Sequence, residues 1–235
     1  MRFSVILPAY NEAEGIGRSI GSLKSQNFPR ETFEIIVVDN NSTDDTARVA
    51  RASGADKVVV EKEKGTNIAR ERGFEESVGE IVAFLDADSV APPDWLQKIE
   101  KSLSRDGIAA VSSGYDYGFK GLNKALSDFF DRFVLSHVGD FLYFIFRRKA
   151  GVIIGGNFAS YRWAIEKIGG LPPLHFWGDD AAIAMLISRH AGKVLFDPDL
   201  TVKSSPRRFE KEGILKLELR YISAYLKVFF DPRWK

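Results

Sequence analysis

Two carboxylates, Asp86 and Asp88, follow directly on the apolar run Ile81–Leu85, with only Ala87 between them. Residues two apart on an extended chain point to the same side, so the pair converges at a strand end. Two hard oxygen ligands placed in this way suit Mg²⁺ or Mn²⁺ carrying a diphosphate, because such ions accept a few carboxylates and fill their shell with phosphate oxygens. A carboxylate after a strand also serves as an ordinary turn residue, and the spacing alone leaves both roles open. A second acidic pair, Asp179 and Asp180, follows Gly178 and opens an apolar stretch. Acids there fit a helix start, where free amides and the dipole favour negative charge.

Converging carboxylates need a frame to hold them. Apolar runs at 3–7, 34–38, 57–60, 80–85 and 108–112 read as strands, and helical patterns lie between them near 12–26, 43–53, 66–78 and 93–104. That alternation predicts an α/β fold with a mostly parallel central sheet, right-handed crossovers and helices on both faces. Ligands of such sheets bind at the carboxyl ends of the strands. Polar residues collect there: Pro8 to Glu12 after the first run, Asp39 after the second, Asp86 after the fourth. Thr43 or Asp44 is expected to cap the helix that follows Asp39. Gly15, Gly17 and Gly21 have the wrong last interval for a dinucleotide fingerprint, and no Gly-Lys-Ser/Thr occurs. Phosphate binding through a metal on Asp86 and Asp88 is what remains.

Composition narrows the class further. At 235 residues the chain is expected to form one domain, 1–235, with a first part at 1–110, a second at 111–205 and an amphipathic helical end at 206–235. Lys and Arg number 33 against 32 for Asp and Glu, which leaves no overall basic field for nucleic acid. Cysteine is absent, so thiolate metal sites are excluded, and a reducing, cytoplasmic setting is expected. The first strand begins so early that no cleavable signal is expected, and no apolar run reaches the roughly 18 residues of a membrane span. The 18 phenylalanines cluster late, in long helical patterns at 122–146 and 214–230 that also carry basic residues. Such helices are core elements, or they lie at a membrane interface or along a lipid acceptor.

The motifs, in order, are Val5 to Glu12, Ile36 to Asp44, Gly65 to Arg70, Gly79 to Asp88, and Gly178 to Asp180. Together they resemble the family 2 glycosyltransferases of the GT-A fold, over roughly residues 3–205. The resemblance implies a metal-dependent, inverting transfer of sugar from a nucleotide-diphospho-sugar donor to a hydroxyl acceptor such as a glycan or a lipid-linked glycan. It implies that Pro8, Ala9, Tyr10 and Glu12 line the base and ribose pocket and that Asp39 accepts a bond from the nucleobase. Asp86, Ala87 and Asp88 would form the Asp-x-Asp element, with Asp88 and Asp86 on Mn²⁺ or Mg²⁺. Arg70 would lie near the nucleotide, although Glu71 stands where the family often has Asn.

By the same resemblance Asp180 would be the catalytic base, with Asp179 beside it to raise its pKa as a neighbouring like charge. Gly156 and Asn157, in the run 153–161, would lie on the acceptor side, where Trp177 offers an indole for a sugar to stack on. Many relatives carry a histidine after the late strands at 194–196 and 200–202; here Lys203 to Arg208 follow instead, with Arg207 and Arg208 as a possible diphosphate clamp. Two other readings compete. A nucleotidyltransferase normally has a glycine-rich loop after its first strand, which Pro8 to Glu12 does not provide. A non-catalytic nucleotide-sugar-binding or scaffold protein has no evident need for Asp86, Asp88 and Asp180 together.

Overall fold

A computed structural model describes residues 1–118, 120, 121, 124, 128–172, 178–205 and 214–231, of which 214–219 are described as backbone. Seven strands form the main sheet: β1 (Phe3–Ala9), β2 (Phe33–Asp39), β3 (Lys57–Val60), β4 (Ile81–Leu85), β5 (Ile108–Ser112), β7 (Asn157–Tyr161) and β8 (Lys193–Phe196), in the order β3-β2-β1-β4-β7-β5-β8. All neighbours run parallel except at β7, which is antiparallel to both β4 and β5. Short strands β6 (Tyr115–Asp116) and β9 (Val202–Lys203) pair separately. The chain winds outward from β1 to β3 and then returns to β4 on the other side of β1. That reversal opens a crevice at the carboxyl ends of β1 and β4, where Asp86 lies.

Continuous apolar runs bury both sheet faces, as a helix-covered parallel sheet requires. Phe3, Val5 and Leu7 face one core with residues of α1 (Ile16–Lys24) and α4 (Trp95–Leu103), and α2 (Thr46–Ala52) adds Ala50 to it. Ile6, Ile36 and Phe84 face the other, against α3 (Thr66–Glu76), α6 (Arg162–Lys167) and α7 (Asp179–His190). Phe84 of β4 stacks on Phe158 of β7 at 4.5 Å between ring centres. A third cluster joins α5 (Val138–Phe146), α7 and α8 (Ile214–Phe230) through Leu142, Ala182, Met185 and Phe229.

The helices are shorter than their sequence patterns. Asp44 accepts from the Thr46 amide at 3.0 Å, but Asp45, not Thr43 or Asp44, stands at the cap position, and regular helix begins only at Thr46. The pattern at 122–146 is not one helix among the described residues: Phe130–Leu135 is a π-helix, and α5 starts afresh at Val138. Ser136 closes the π-helix, its amide and hydroxyl both bonding to the Asp131 carbonyl, at 3.2 and 2.8 Å. The acceptor-side run becomes strand only at Asn157. After β8, Pro198 starts a 3₁₀ turn, Pro198–Leu200, and strand resumes at Val202.

Candidate active site

The main sheet brings Asp86 and Asp180 together although they are 94 positions apart in sequence. Asp86 leaves the end of β4, and its amide donates to the Gly156 carbonyl at 3.0 Å. The register of β4 with β7, Leu85 opposite Asn157, sets that contact. Asp180 stands in the first turn of α7, reached through Gly178, whose φ of 116° a side chain would oppose. Its Oδ2 accepts from the Gly155 amide at 2.9 Å and its Oδ1 from Arg70 Nη1 at 3.2 Å. Arg70 rises from α3 with its side chain buried. Its Nη2 lies 3.8 Å from Asp86, and Nη1 also donates to Asn67 at 2.8 Å. The Tyr115 hydroxyl donates to the other Asp86 oxygen at 2.8 Å.

One guanidinium therefore faces two carboxylates, with Asp179 close behind. Burial raises the pKa of Asp180 to about 6; Arg70 opposes that rise, and Asp179 adds to it as a like charge. Burial likewise raises Asp86, against the pull of Arg70 and the Tyr115 hydroxyl. Asp179 is raised for the same first reason. Tyr115 is driven upward by burial and by Asp86, so it stays a hydroxyl donor. Asp180 is thus poised near neutrality, where a base for an alcohol proton works best.

Gly155 and Gly156 make this crowding possible. A Cβ on Gly155 would lie 2.6 Å from both terminal nitrogens of Arg70 and would collide with Asp180. A Cβ on Gly156 would collide with the Asp86 carboxylate and the Tyr115 hydroxyl. Asn157, expected on the acceptor side, is buried instead beneath it. Its amide donates to the Gly114 and Leu200 carbonyls, both at 3.0 Å, and accepts from the Trp95 indole at 3.1 Å. Beyond Tyr115 lies an open cavity of about 520 Å³ with Asp116, Tyr117, Asp131, Arg132 and Lys203 on its walls. Trp177, Arg207 and Arg208 lie outside the described residues.

On the β1 and β2 side, Pro8 and Ala9 end β1 in register with Val38 and Asp39. Asp39 is buried, with its Oδ1 accepting from the Ser42 amide at 3.3 Å. The Glu12 amide bonds to Thr46 at 2.9 Å, which fixes the loop after β1. Tyr10 is exposed, and the Lys64 ammonium sits 4.8 Å from its ring centre and 3.2 Å from its hydroxyl. Several residues here escape sequence reasoning. Asn40 clamps the 61–65 loop by donating to the Glu63 carbonyl at 2.6 Å and accepting from the Gly65 amide at 2.8 Å. Its position directly after Asp39 is the one signal that marks it. Tyr115 is marked only by following the carboxyl end of β5, and Asn67 by preceding Arg70 by one helical turn.

Among the described residues no group of three or more His, Cys, Asp or Glu side chains converges as a complete metal cage. The chemistry of the donor set fits an ion completed by substrate oxygens, because Mg²⁺ and Mn²⁺ bind through one or two carboxylates plus phosphates. Asp86 has both oxygens engaged by Arg70 and Tyr115, and Asp88 lies half-buried two residues on.

The family model described as Glycosyl transferase family 2 matches residues 4–169. The chain is 34% identical over 121 residues to glycosyltransferase AglE of Haloferax volcanii, which is 49% of this chain and 40% of that protein. It is 30% identical over 200 residues to the probable glycosyltransferase YdaM of Bacillus subtilis, 78% of this chain and 44% of that one. The chain thus spans less than half the length of these curated relatives. Of solved structures, mannosyltransferase PcManGT from Pyrobaculum calidifontis, in complex with GDP-Man and Mn²⁺, superposes with a TM-score of 0.70 at 24% identity, covering 99% of this chain and 71% of that one. Glucosyl-3-phosphoglycerate synthase of Mycobacterium tuberculosis gives 0.65 at 24% identity, with coverages of 98% and 81%. These likenesses establish a GT-A type α/β fold. With most of its length matched by the family model, the chain belongs to glycosyl transferase family 2.

Proposed function

We propose that this chain is a metal-dependent, inverting glycosyltransferase that moves a sugar from a nucleoside-diphosphate donor to a hydroxyl acceptor. The observation that carries the reading is Asp180, held by Gly155 and Arg70 in the same cleft as the Asp-x-Asp turn and poised near neutrality by burial. Residues 1–110 would take the donor and 111–205 the acceptor. Asp39 would meet the nucleobase, with Tyr10 and Lys64 closing over the base or ribose. PcManGT, which holds GDP-Man and Mn²⁺, supports a nucleotide sugar with a divalent ion.

In this mechanism Asp180 accepts the acceptor hydroxyl proton as that oxygen bonds to the anomeric carbon and the bond to the diphosphate breaks. Each Asp180 oxygen uses one acceptor site in the resting arrangement, on Arg70 or Gly155, and keeps another for the incoming hydroxyl. Arg70 fixes the direction of the carboxylate and balances its charge with that of Asp86. Asp88, with Asp86 behind it, would hold the ion, which when bound supplies positive charge to the departing diphosphate. The cavity beyond Tyr115, walled by aromatic and charged groups, suits the polar part of a glycan or lipid-linked glycan acceptor.

Calorimetric titration of UDP, GDP, dTDP and CDP, with and without Mn²⁺, tests the donor half. One nucleotide is expected to bind only with the metal, and Asp88→Ala is expected to abolish that binding. Metal-independent binding, or none, would remove the reading.

A further inference from the structure

The helical elements after β6 carry a surface that water does not suit. In α5 only Leu142 is buried, although every residue from Phe141 to Phe146 is apolar or aromatic; Phe144 is 72% exposed. Phe133, on the π-helix just before, is 62% exposed. On α8, Ile222 and Phe230 are exposed too, and Phe146 packs edge-on against Phe230, which joins the two patches. A helix apolar on nearly all sides is normally enclosed, and an open aromatic patch of this size marks a docking surface. No helix among the described residues is long and apolar enough to cross a membrane.

Charge at one end of this surface indicates the partner. Arg147, Arg148 and Lys149 follow α5 directly, and Arg189 of α7 packs beneath them, donating to the Lys149 carbonyl at 3.3 Å. Among the described residues none of the four is ion-paired with a carboxylate, and a buried Arg189 nitrogen, Nη1, has no hydrogen-bond partner. Burial and the neighbouring Arg148 both work against the Arg189 charge. Four cations gathered beside an aromatic face lack only an anion. A protein partner with a hydrophobic face would answer the aromatics and leave the cations unanswered. A layer of anionic headgroups over acyl chains answers both.

We propose that α5, the preceding π-helix and the exposed side of α8 lie on an anionic phospholipid bilayer, with the aromatic rings below the headgroups, Arg147, Arg148 and Lys149 at phosphate level, and Arg189 adding its charge from beneath them. This goes beyond the transferase reading and does not depend on it. It adds a consequence for that reading: α7 carries Asp180 at its start and touches the docking elements along its flank, so the cleft would be held at a fixed distance from the lipid.

Because the chain has no cysteine, a single Phe144→Cys substitution carries an environment-sensitive fluorophore cleanly. Its emission is expected to shift to the blue with vesicles of phosphatidylcholine and phosphatidylglycerol, not with phosphatidylcholine alone, and to return on adding salt. The same label at Val60→Cys, on β3, is expected to stay unchanged. Arg148→Gln combined with Lys149→Gln is expected to weaken vesicle affinity about 25-fold, at about fivefold per basic residue removed. Co-sedimentation of the unsubstituted chain with the same vesicles checks that the label has not created the effect. Failure of both to respond to anionic vesicles overturns the proposal. So does a blue shift that grows with protein concentration in the absence of lipid, which would assign the surface to a second copy.

Discussion

At Arg70 one buried cation answers for the acids around it, and its removal is the most informative single change. Arg70→Gln leaves Asp86, Asp180 and Asp179 facing one another without compensation. The expected loss at about pH 8 is roughly 3–5 kcal/mol, read by urea unfolding, and it should shrink toward about pH 5 as the carboxylates take up protons. Asp180 behaves in the opposite sense. Its pKa near 6 lies above the ordinary 3.8, so the fold favours the neutral form. Stability from this group is therefore fullest below 3.8 and declines as pH rises to about 6, by roughly 3 kcal/mol in all. Asp180→Asn is thus expected to be as stable as the parent or more so at about pH 8, while transfer falls by about 10²–10⁴ and nucleotide binding persists. In the parent, kcat/KM is expected to rise with pH along a limb centred near 6. A stable Asp180→Asn variant with undiminished transfer would exclude it as the base.

At the scale of elements, the approach of β7 to the end of β4 leaves room for carboxylates only because Gly155 and Gly156 have no side chains. Gly156→Ala must displace Asp86 or Tyr115; the expected cost is about 1–3 kcal/mol with a larger fractional loss of transfer. Gly21→Ala, on the exposed side of α1 with no atom within 4 Å of the added carbon, is the control and should be neutral or slightly stabilising in thermal unfolding. These elements were unequally legible in the sequence. The strands and their parallel winding could be read because unbroken apolar runs such as Ile81–Leu85 have few other uses, and Asp86 followed from where such a run stops. Helix ends were overestimated, since Asp44 and Pro93 extend an apparent pattern that the backbone uses for turns. The π-helix ends at Ser136, whose amide and hydroxyl bond back to Asp131, a contact that apolar spacing does not register. Tyr115 reaches the site only through the packing of the segment after β5 against the end of β4, and its place after a strand is a weak mark, while Asn67 is marked only by lying one helical turn before Arg70.

At the scale of the whole molecule, Asn157 ties together segments far apart in the chain. Its amide group joins α4 through Trp95, the loop after β5 through Gly114, and the turn before β9 through Leu200. Its backbone carbonyl accepts from the Ser112 hydroxyl at 2.9 Å and the Ser113 amide at 3.1 Å. All of this lies one residue from Gly156, which holds the Asp86 amide. Asn157→Ala leaves an indole N–H and two carbonyls buried without partners, at an expected cost of about 3 kcal/mol or more. The Asp39 and Asn40 pocket shares none of these bonds, so nucleotide affinity should change little while turnover falls. Hydrogen exchange distinguishes this from ordinary core damage. Amides at 113–116 and 200–202 should lose protection together, because β6 pairs with β9 and the Asn157 amide joins the segments that lead into both, whereas Lys203, held separately by its two bonds to Val90, should change less. Loss confined to one of the two segments would mean that the halves of the cleft are held independently, and that Asn157 supports only the loop it touches.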